Sequence, residues 1–174
     1  MAGVLGLAGA GVFLGSGRWR VFEREIAAQG RVLATFVGMD LDMARDFVRD
    51  HHRAILTTTR DDGSPQLSPV AVAVDDDGYL VVSTRQTAVK TRNLRKRPHA
   101  WLCVISDEFF GPWVQISGDV EVVDLPEAME PLVDYYRRLS GEHPDWDEYR
   151  AAMERDQRVL LRITARRAGP DIEG

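Results

Sequence analysis

A-I-L-T-T-T-R-D-D-G-S-P-Q-L-S-P-V-A-V-A-V-D-D-D-G-Y-L-V-V-S-T, residues 54–84, decides the fold. Ala54–Arg60 is short and rich in Ile, Leu and Thr, a β composition, and Asp61-Asp62-Gly63 behind it is a turn signal. Pro65–Asp75 follows, with Val70, Val72 and Val74 on one face and Ala71 and Ala73 on the other. Such alternation of large and small residues suits a strand covered on both sides, as in a small barrel wall. Asp76-Asp77-Gly78 repeats the turn, and Tyr79–Thr84 supplies a third strand. Links this short allow an antiparallel meander and leave no room for a parallel crossover.

Directly after the meander, Arg85–Arg97 holds six basic residues and no acid. Taking those six from the chain's 22 Lys plus Arg leaves 16 against 27 Asp plus Glu, so an acidic protein concentrates positive charge here. Thr87 is an N-cap candidate that would place Ala88, Val89 and Lys90 in the first turn of a helix. Free backbone N–H groups, the helix dipole and a Lys would then meet in one corner, which suits a phosphate or another compact anion. A solvated basic helix without a ligand accounts for the charge equally well. Pro98 ends the helix.

Outward from this centre the pattern stays β-rich. Ala100–Ile105 is an apolar strand in which Cys103 reads as a small buried hydrophobe rather than a reactive thiol. Asp107–Pro112 is a loop carrying Phe109, Phe110 and Gly111. Trp113–Asp124 is a long strand with Val114, Ile116, Val120 and Val122 inward, and Gly118 marks a bulge or a close backbone approach. Pro126–Leu139 is helical with a stripe of Met129, Leu132, Val133 and Tyr136, ended by Gly141. Asp145 can cap a helix from Trp146 to about Arg155, and Arg158–Ala165 is a last strand. Upstream, Asp40 caps a helix reaching about His52, with Leu41, Ala44, Phe47 and Val48 as its apolar face. Six strands, short helices and no βαβ alternation predict a mainly β fold, a six-stranded antiparallel barrel with peripheral helices.

Composition bounds the rest. At 174 residues, 44% hydrophobic and 28% charged, the chain reads as one ordinary globular domain. A net charge of −5 argues against a nucleic-acid partner. Cys103 is the one cysteine, which excludes an intrachain disulfide or a multi-cysteine metal site and fits a cytoplasmic location. Ala2–Gly15 is uncharged and apolar, yet no basic residue precedes it, and its length falls short of the roughly 18–20 residues that span a bilayer. Residues 1–38 are therefore expected to form an extension outside the fold rather than an export signal, with Met39 as an alternative start and no membrane partner. The domain is expected over 39–168, with a flexible tail at 169–174.

No nucleophile elbow, phosphate loop or H-E-x-x-H is present. His51, His52, His99 and His143 lack metal-ligand spacing, so no metal site is expected. Nothing announces a catalytic side chain, and an enzyme built on this chain would rely on a cofactor for its chemistry.

Three motifs in order, D-G-S-P-Q-L-S-P-V at 62–70, K-T-R-N-L-R-K-R-P at 90–98 and Y-Y-R-R-L-S-G-E-H-P-D-W-D-E-Y-R at 135–150, resemble the split-barrel flavin/deazaflavin oxidoreductases. More narrowly they resemble the PPOX-class F420-dependent enzymes, which share the pyridoxamine-phosphate-oxidase-like fold. The resemblance covers residues 41–165 and implies a homodimeric split barrel with the cofactor in a groove at the dimer interface. It implies that Lys90, with Asn93 and Arg92, meets the cofactor phosphate or acidic tail. Gln66, Leu67 and Ser68 would lie along the ring edge, and Ser83, Thr84, Arg85 and Thr87 would line the groove. Trp113 would approach the ring or substrate, and Asp147 would reach in from the neighbouring subunit. The implied activity is an F420-dependent reductase passing a hydride between the deazaflavin coenzyme and an electron-poor small molecule such as an enone, quinone or tetrapyrrole. A non-catalytic F420 or FMN carrier of the same fold is the alternative, and FMN the alternative cofactor. Residues 1–38 have no counterpart in the family pattern, and the loop 107–112 is where substrate preference would differ.

Overall fold

The computed structural model describes residues 39–108 and 110–169. The expectations for residues 1–38, for Phe109 and for the tail beyond Gly169 lie outside the described residues. Eleven elements follow in order: α1 (Leu41–Asp50), β1 (Arg53–Thr59), β2 (Pro65–Ala71), β3 (Ala73–Val74), β4 (Leu80–Arg85), α2 (Val89–Lys96), β5 (His99–Ile105), β6 (Trp113–Val123), α3 (Met129–Ser140), α4 (Trp146–Arg155) and β7 (Arg158–Ala168). All strand pairs are antiparallel, in the order β2-β1-β5-β6-β7-β4-β3.

That order explains why seven strands stand where six were expected. The run 65–74 is one stretch of sequence, but it serves both ends of the sheet. Its first part pairs with β1 and its last two residues pair with β4. The break falls at Val72, whose N–H leaves the ladder and donates to His52 O at 2.9 Å. The two edges of the sheet are thus consecutive in the chain, and the sheet curls into a split barrel. Val72 and Val74 are buried inside it, while Ala73 faces the opposite way into a second cluster with Val81, Leu132 and Leu160. The large-small alternation holds where both faces are covered; Ala71, before the break, is exposed. Both turn glycines, Gly63 and Gly78, sit at φ +83°, the left-handed region that favours glycine.

The helices close the ends and one outer face. Asp40 caps α1, its carboxylate accepting from the N–H groups of Asp42 and Met43, and Ala44 and Val48 enter the barrel core. Leu94 does the same from α2. Leu132 of α3 lies under the outer face of β3, β4 and β7. Gly118 is a site of close approach as expected: a Cβ there would fall 2.2 Å from Thr164 O, and the β6–β7 register shifts at this point. β7 runs three residues past the expected Ala165, and Gly169 N–H still donates to Gln115 O. Met39 is tied in by its N–H to Ala168 O at 3.1 Å.

Two expectations need correction. Thr87 does not cap α2: the N-cap is Ala88, without a side-chain bond, and Thr87 is exposed. The approach is fixed instead by Thr91, whose hydroxyl donates to Arg85 O at 2.8 Å, and by the Ala88 N–H to the same oxygen at 3.1 Å. Cys103 is only half-buried, on the outward face of β5, and that burial pushes its thiol up, away from a reactive thiolate.

Candidate functional site

The ends of β2 and β4 come together where the barrel closes, and α2 starts beside them. A groove of about 410 Å³ forms there, lined by Pro69, Val70 and Ala71 of the first strand, Ser83, Thr84 and Arg85 of the second, Ala88 and Lys90 at the helix start, and Arg158. Four residues named from the sequence, Ser83, Thr84, Arg85 and Lys90, thus meet in one place. Lys90 is the second residue of α2, within the turn whose N–H groups have no intrahelical acceptor. Burial and the nearby Arg158 guanidinium push its ammonium below the usual lysine range.

The basic segment is less positive than its sequence suggests. Arg85 pairs with Asp156 at 3.1 Å, Arg95 with Asp124, Lys96 with Asp61 at 2.6 Å and Arg97 with Asp61 at 3.0 Å. Lys90 and Arg92 have no acidic partner among the described residues. The unpaired charges are therefore those near the helix start. Arg92 and Asn93 line a second, wider groove of about 570 Å³ on the other side of α2, with Arg60, Asp61, Val89 and Lys96 among its walls.

Gln66, Ser68 and Asn93 are joined by a residue that the sequence reading passed over. Asn93 Nδ2 donates to Thr58 Oγ1 at 3.0 Å, and the Thr58 hydroxyl donates to Gln66 Oε1 at 3.1 Å. Gln66 Nε2 then donates to Leu67 O at 2.9 Å and Ser68 Oγ at 2.7 Å. Thr58 has one proton, so accepting from Asn93 commits that proton to Gln66 and fixes which way the amide faces. The chain runs from α2 through β1 to β2 and is buried at Thr58, Ser68 and Asn93. Leu67 points outward and is 60% exposed. Its alternation with Gln66 and Ser68 follows from the strand period of two.

Trp113 and Asp147 lie elsewhere in this chain. Trp113 opens β6 opposite Ile105, and Asp147 is exposed in the first turn of α4, which Asp145 caps by accepting from the N–H groups of Asp147 and Glu148. Neither lines either groove. Among the described residues no cluster of His, Cys, Asp or Glu could hold a metal ion, and no helix is long and apolar enough to cross a membrane. Arg158 is the charged groove residue that sequence reasoning missed, having been read only as a strand start.

Known structures share this architecture. A conserved hypothetical protein of Mycobacterium tuberculosis, Rv2991, superposes with a TM-score of 0.63 at 28% identity over 81% of this chain and 88% of its own. A protein described as an F420 reductase gives 0.56 at 22% identity, over 72% of this chain and 94% of its own. HutZ, the heme storage protein of Vibrio cholerae, gives 0.59 at 17% identity, over 78% and 98%. The last two are too distant in sequence to speak for more than the fold. The family model for pyridoxamine 5'-phosphate oxidase matches residues 41–169, from the first residue of α1 to one residue past β7. With nearly all of the described chain so matched, and the split barrel closing on its groove, this protein belongs to the pyridoxamine 5'-phosphate oxidase family.

Proposed function

We propose that this protein is a cytoplasmic oxidoreductase that uses coenzyme F420 to reduce an electron-poor small molecule. Lys90 carries the reading: a half-buried ammonium lining a groove at a helix start, with no acid among the described residues to neutralise it. A buried charge without a partner is costly, and an incoming anion removes the cost. The groove residues fit the phosphate end of a flavin-type cofactor, with Lys90 and the α2 N–H groups holding oxygens while Ser83, Thr84 and Arg85 form the wall. Arg92 is available to an acidic tail. Gln66, held by Thr58, offers a fixed polar edge along β2 for the ring. Trp113 and Asp147 act, on this reading, from a second copy of the chain. The chemistry such a cofactor supplies is two-electron transfer in the form of a hydride. The chain's own part is to bind, orient and keep water out. The likeness to a protein described as an F420 reductase speaks for the fold alone, so the choice of cofactor rests on the groove.

FMN is the second reading, and one observation favours it. Four of the six cations in 85–97 are paired to Asp61, Asp124 and Asp156, so less free charge remains for a long acidic tail than the sequence promised. Titrating the protein with the deazaflavin and with FMN side by side tests both. Tighter deazaflavin binding is expected, and tighter FMN binding would move the protein to the flavin branch. Lys90→Ala should lose a charge-assisted bond of roughly 1.5–3 kcal/mol, weakening the cofactor about ten- to a hundred-fold. Lys96→Ala, which removes a charge already spent on Asp61, should change affinity little. Equal losses would show a diffuse basic surface in place of a site. Turnover of the loaded protein with an enone or quinone separates an enzyme from a carrier.

A further inference from the structure

Arg158 opens β7 directly opposite Arg85 of β4. Two like charges facing each other across a ladder repel. Asp156 serves both, its Oδ2 accepting from Arg85 Nη2 at 3.1 Å and from Arg158 Nη2 at 3.4 Å. Lys90 lines the same groove and has no acidic partner among the described residues. Three cations and one carboxylate leave two positive charges in excess. The Nε of Arg158 is also buried and has no hydrogen-bond partner among the described residues. A buried donor without an acceptor costs free energy. Neither the repulsion nor the orphaned donor helps the barrel to fold, and local conflicts of this kind gather where a ligand resolves them.

We propose that Arg158 is the third cation of a seat for a compact, doubly charged phosphoryl-bearing group, giving its oxygens the donors that Asp156 leaves unused. A phosphate monoester carries close to two negative charges at neutral pH, which matches the excess. A phosphoryl group with a carboxylate close by carries the same charge. The inference rests on the reading above, that the groove takes the phosphate end of a flavin-type cofactor.

The test compares wild type, Arg158→Gln, Arg158→Lys and Lys90→Ala, each titrated with FMN, with the deazaflavin coenzyme and with riboflavin, which has the ring but no phosphate. Melting temperatures of the ligand-free proteins are measured alongside. Arg158→Gln is expected to bind the phosphorylated ligand about ten-fold or more weakly and riboflavin as wild type does. Its ligand-free melting temperature should be unchanged or higher, because a like-charge pair has gone. Arg158→Lys should recover part of the affinity, and it serves as the test if the glutamine variant folds poorly. Wild-type affinity in both Arg158 variants, beside a loss in Lys90→Ala, would overturn the proposal and leave a two-cation seat. A wild-type protein that binds riboflavin as tightly as either phosphorylated ring would overturn the underlying reading as well.

Discussion

Burial and the Arg158 guanidinium hold the Lys90 ammonium below the usual lysine range, and this has two opposite consequences with pH. Between that lowered value and the ordinary one, the unfolded chain binds more protons than the folded chain at this position. Stability therefore rises with pH through that window. Anion binding runs the other way, because only the charged lysine attracts a phosphate. Affinity should be flat below the lowered value and fall as the pH rises through it, with protons taken up on binding. Cofactor affinity measured against pH should thus bend downward on the alkaline side in wild type. Lys90→Gln should bind more weakly at neutral pH and show no such bend. A bend that survives the substitution would come from the cofactor ring or another group, and Lys90 would lose its assigned place.

At the scale of the element, α2 is a basic helix whose far end is already neutralised. Asp61, in the turn between β1 and β2, accepts from Lys96 and Arg97 and thereby ties that turn to the last turn of α2. These bonds, from Lys96 first and then Arg97, hold its carboxyl below the usual carboxylate range. The tie is complete above the ordinary carboxylate value and is lost as the pH falls through the lowered one. Asp61 acts as an internal occupant of charges that an acidic tail would otherwise meet in the wider groove. Asp61→Asn should therefore raise affinity for the deazaflavin coenzyme several-fold at low salt and leave FMN affinity nearly unchanged. The gain should vanish at high salt, because exposed charges are screened within about 8 Å at physiological ionic strength. Titrations at both salt levels check it; no gain at low salt would mean that the tail does not run along α2.

The same helix shows what could be read in advance. The strands were legible because alternation and the D-D-G turns are local signals. Helices α1 and α4 were too, since Asp40 and Asp145 cap them through their own side chains. The break at Val72 was not, because a two-residue strand has no period to detect and its partner lies at the far edge of the sheet. Arg158 and Thr58 escaped for a related reason. Each matters through a residue distant in sequence, Arg85 for one and Asn93 for the other, and only the fold supplies those pairs. The basic run was visible, but its neutralisation was not, since Asp61, Asp124 and Asp156 lie outside it.

For the whole molecule a homodimer is a prediction, and the exposed surface argues which face would join two copies. Tyr135, Tyr136, Trp146 and Tyr149 of the third motif are a natural candidate for a contact surface, but the structure largely removes the need for one by packing them within the chain. Tyr149 is 7% exposed, its hydroxyl donates to Leu132 O, and burial pushes its phenol up to about 12. Tyr136 packs edge-on against Trp146 and Tyr149, and Tyr135 donates to Ala71 O. Exposed apolar surface sits instead on the outward face of β2, β1 and β5. Leu67 and Trp101, the latter 37% exposed, flank Thr57 in one row, and Pro69 and Cys103 flank Ile55 in the next. Neither buried cluster includes any of these residues. The two rows carry no charge, so the surface that covers them must be uncharged too, and a second copy related by a two-fold axis provides one. That arrangement also suits Trp113, which stands at the start of β6 beside β5 and lines neither of the two grooves beside α2. A homodimer joined through this face is therefore expected. Trp101→Glu should shift sedimentation from dimer to monomer, because a charge placed in an apolar contact must be desolvated. Tyr136→Ala, which alters the aromatic cluster, should leave the dimer intact. If Tyr136→Ala dissociates the protein and Trp101→Glu does not, the interface lies on the helical side; if wild type is a monomer that still binds cofactor, each site is complete in one chain.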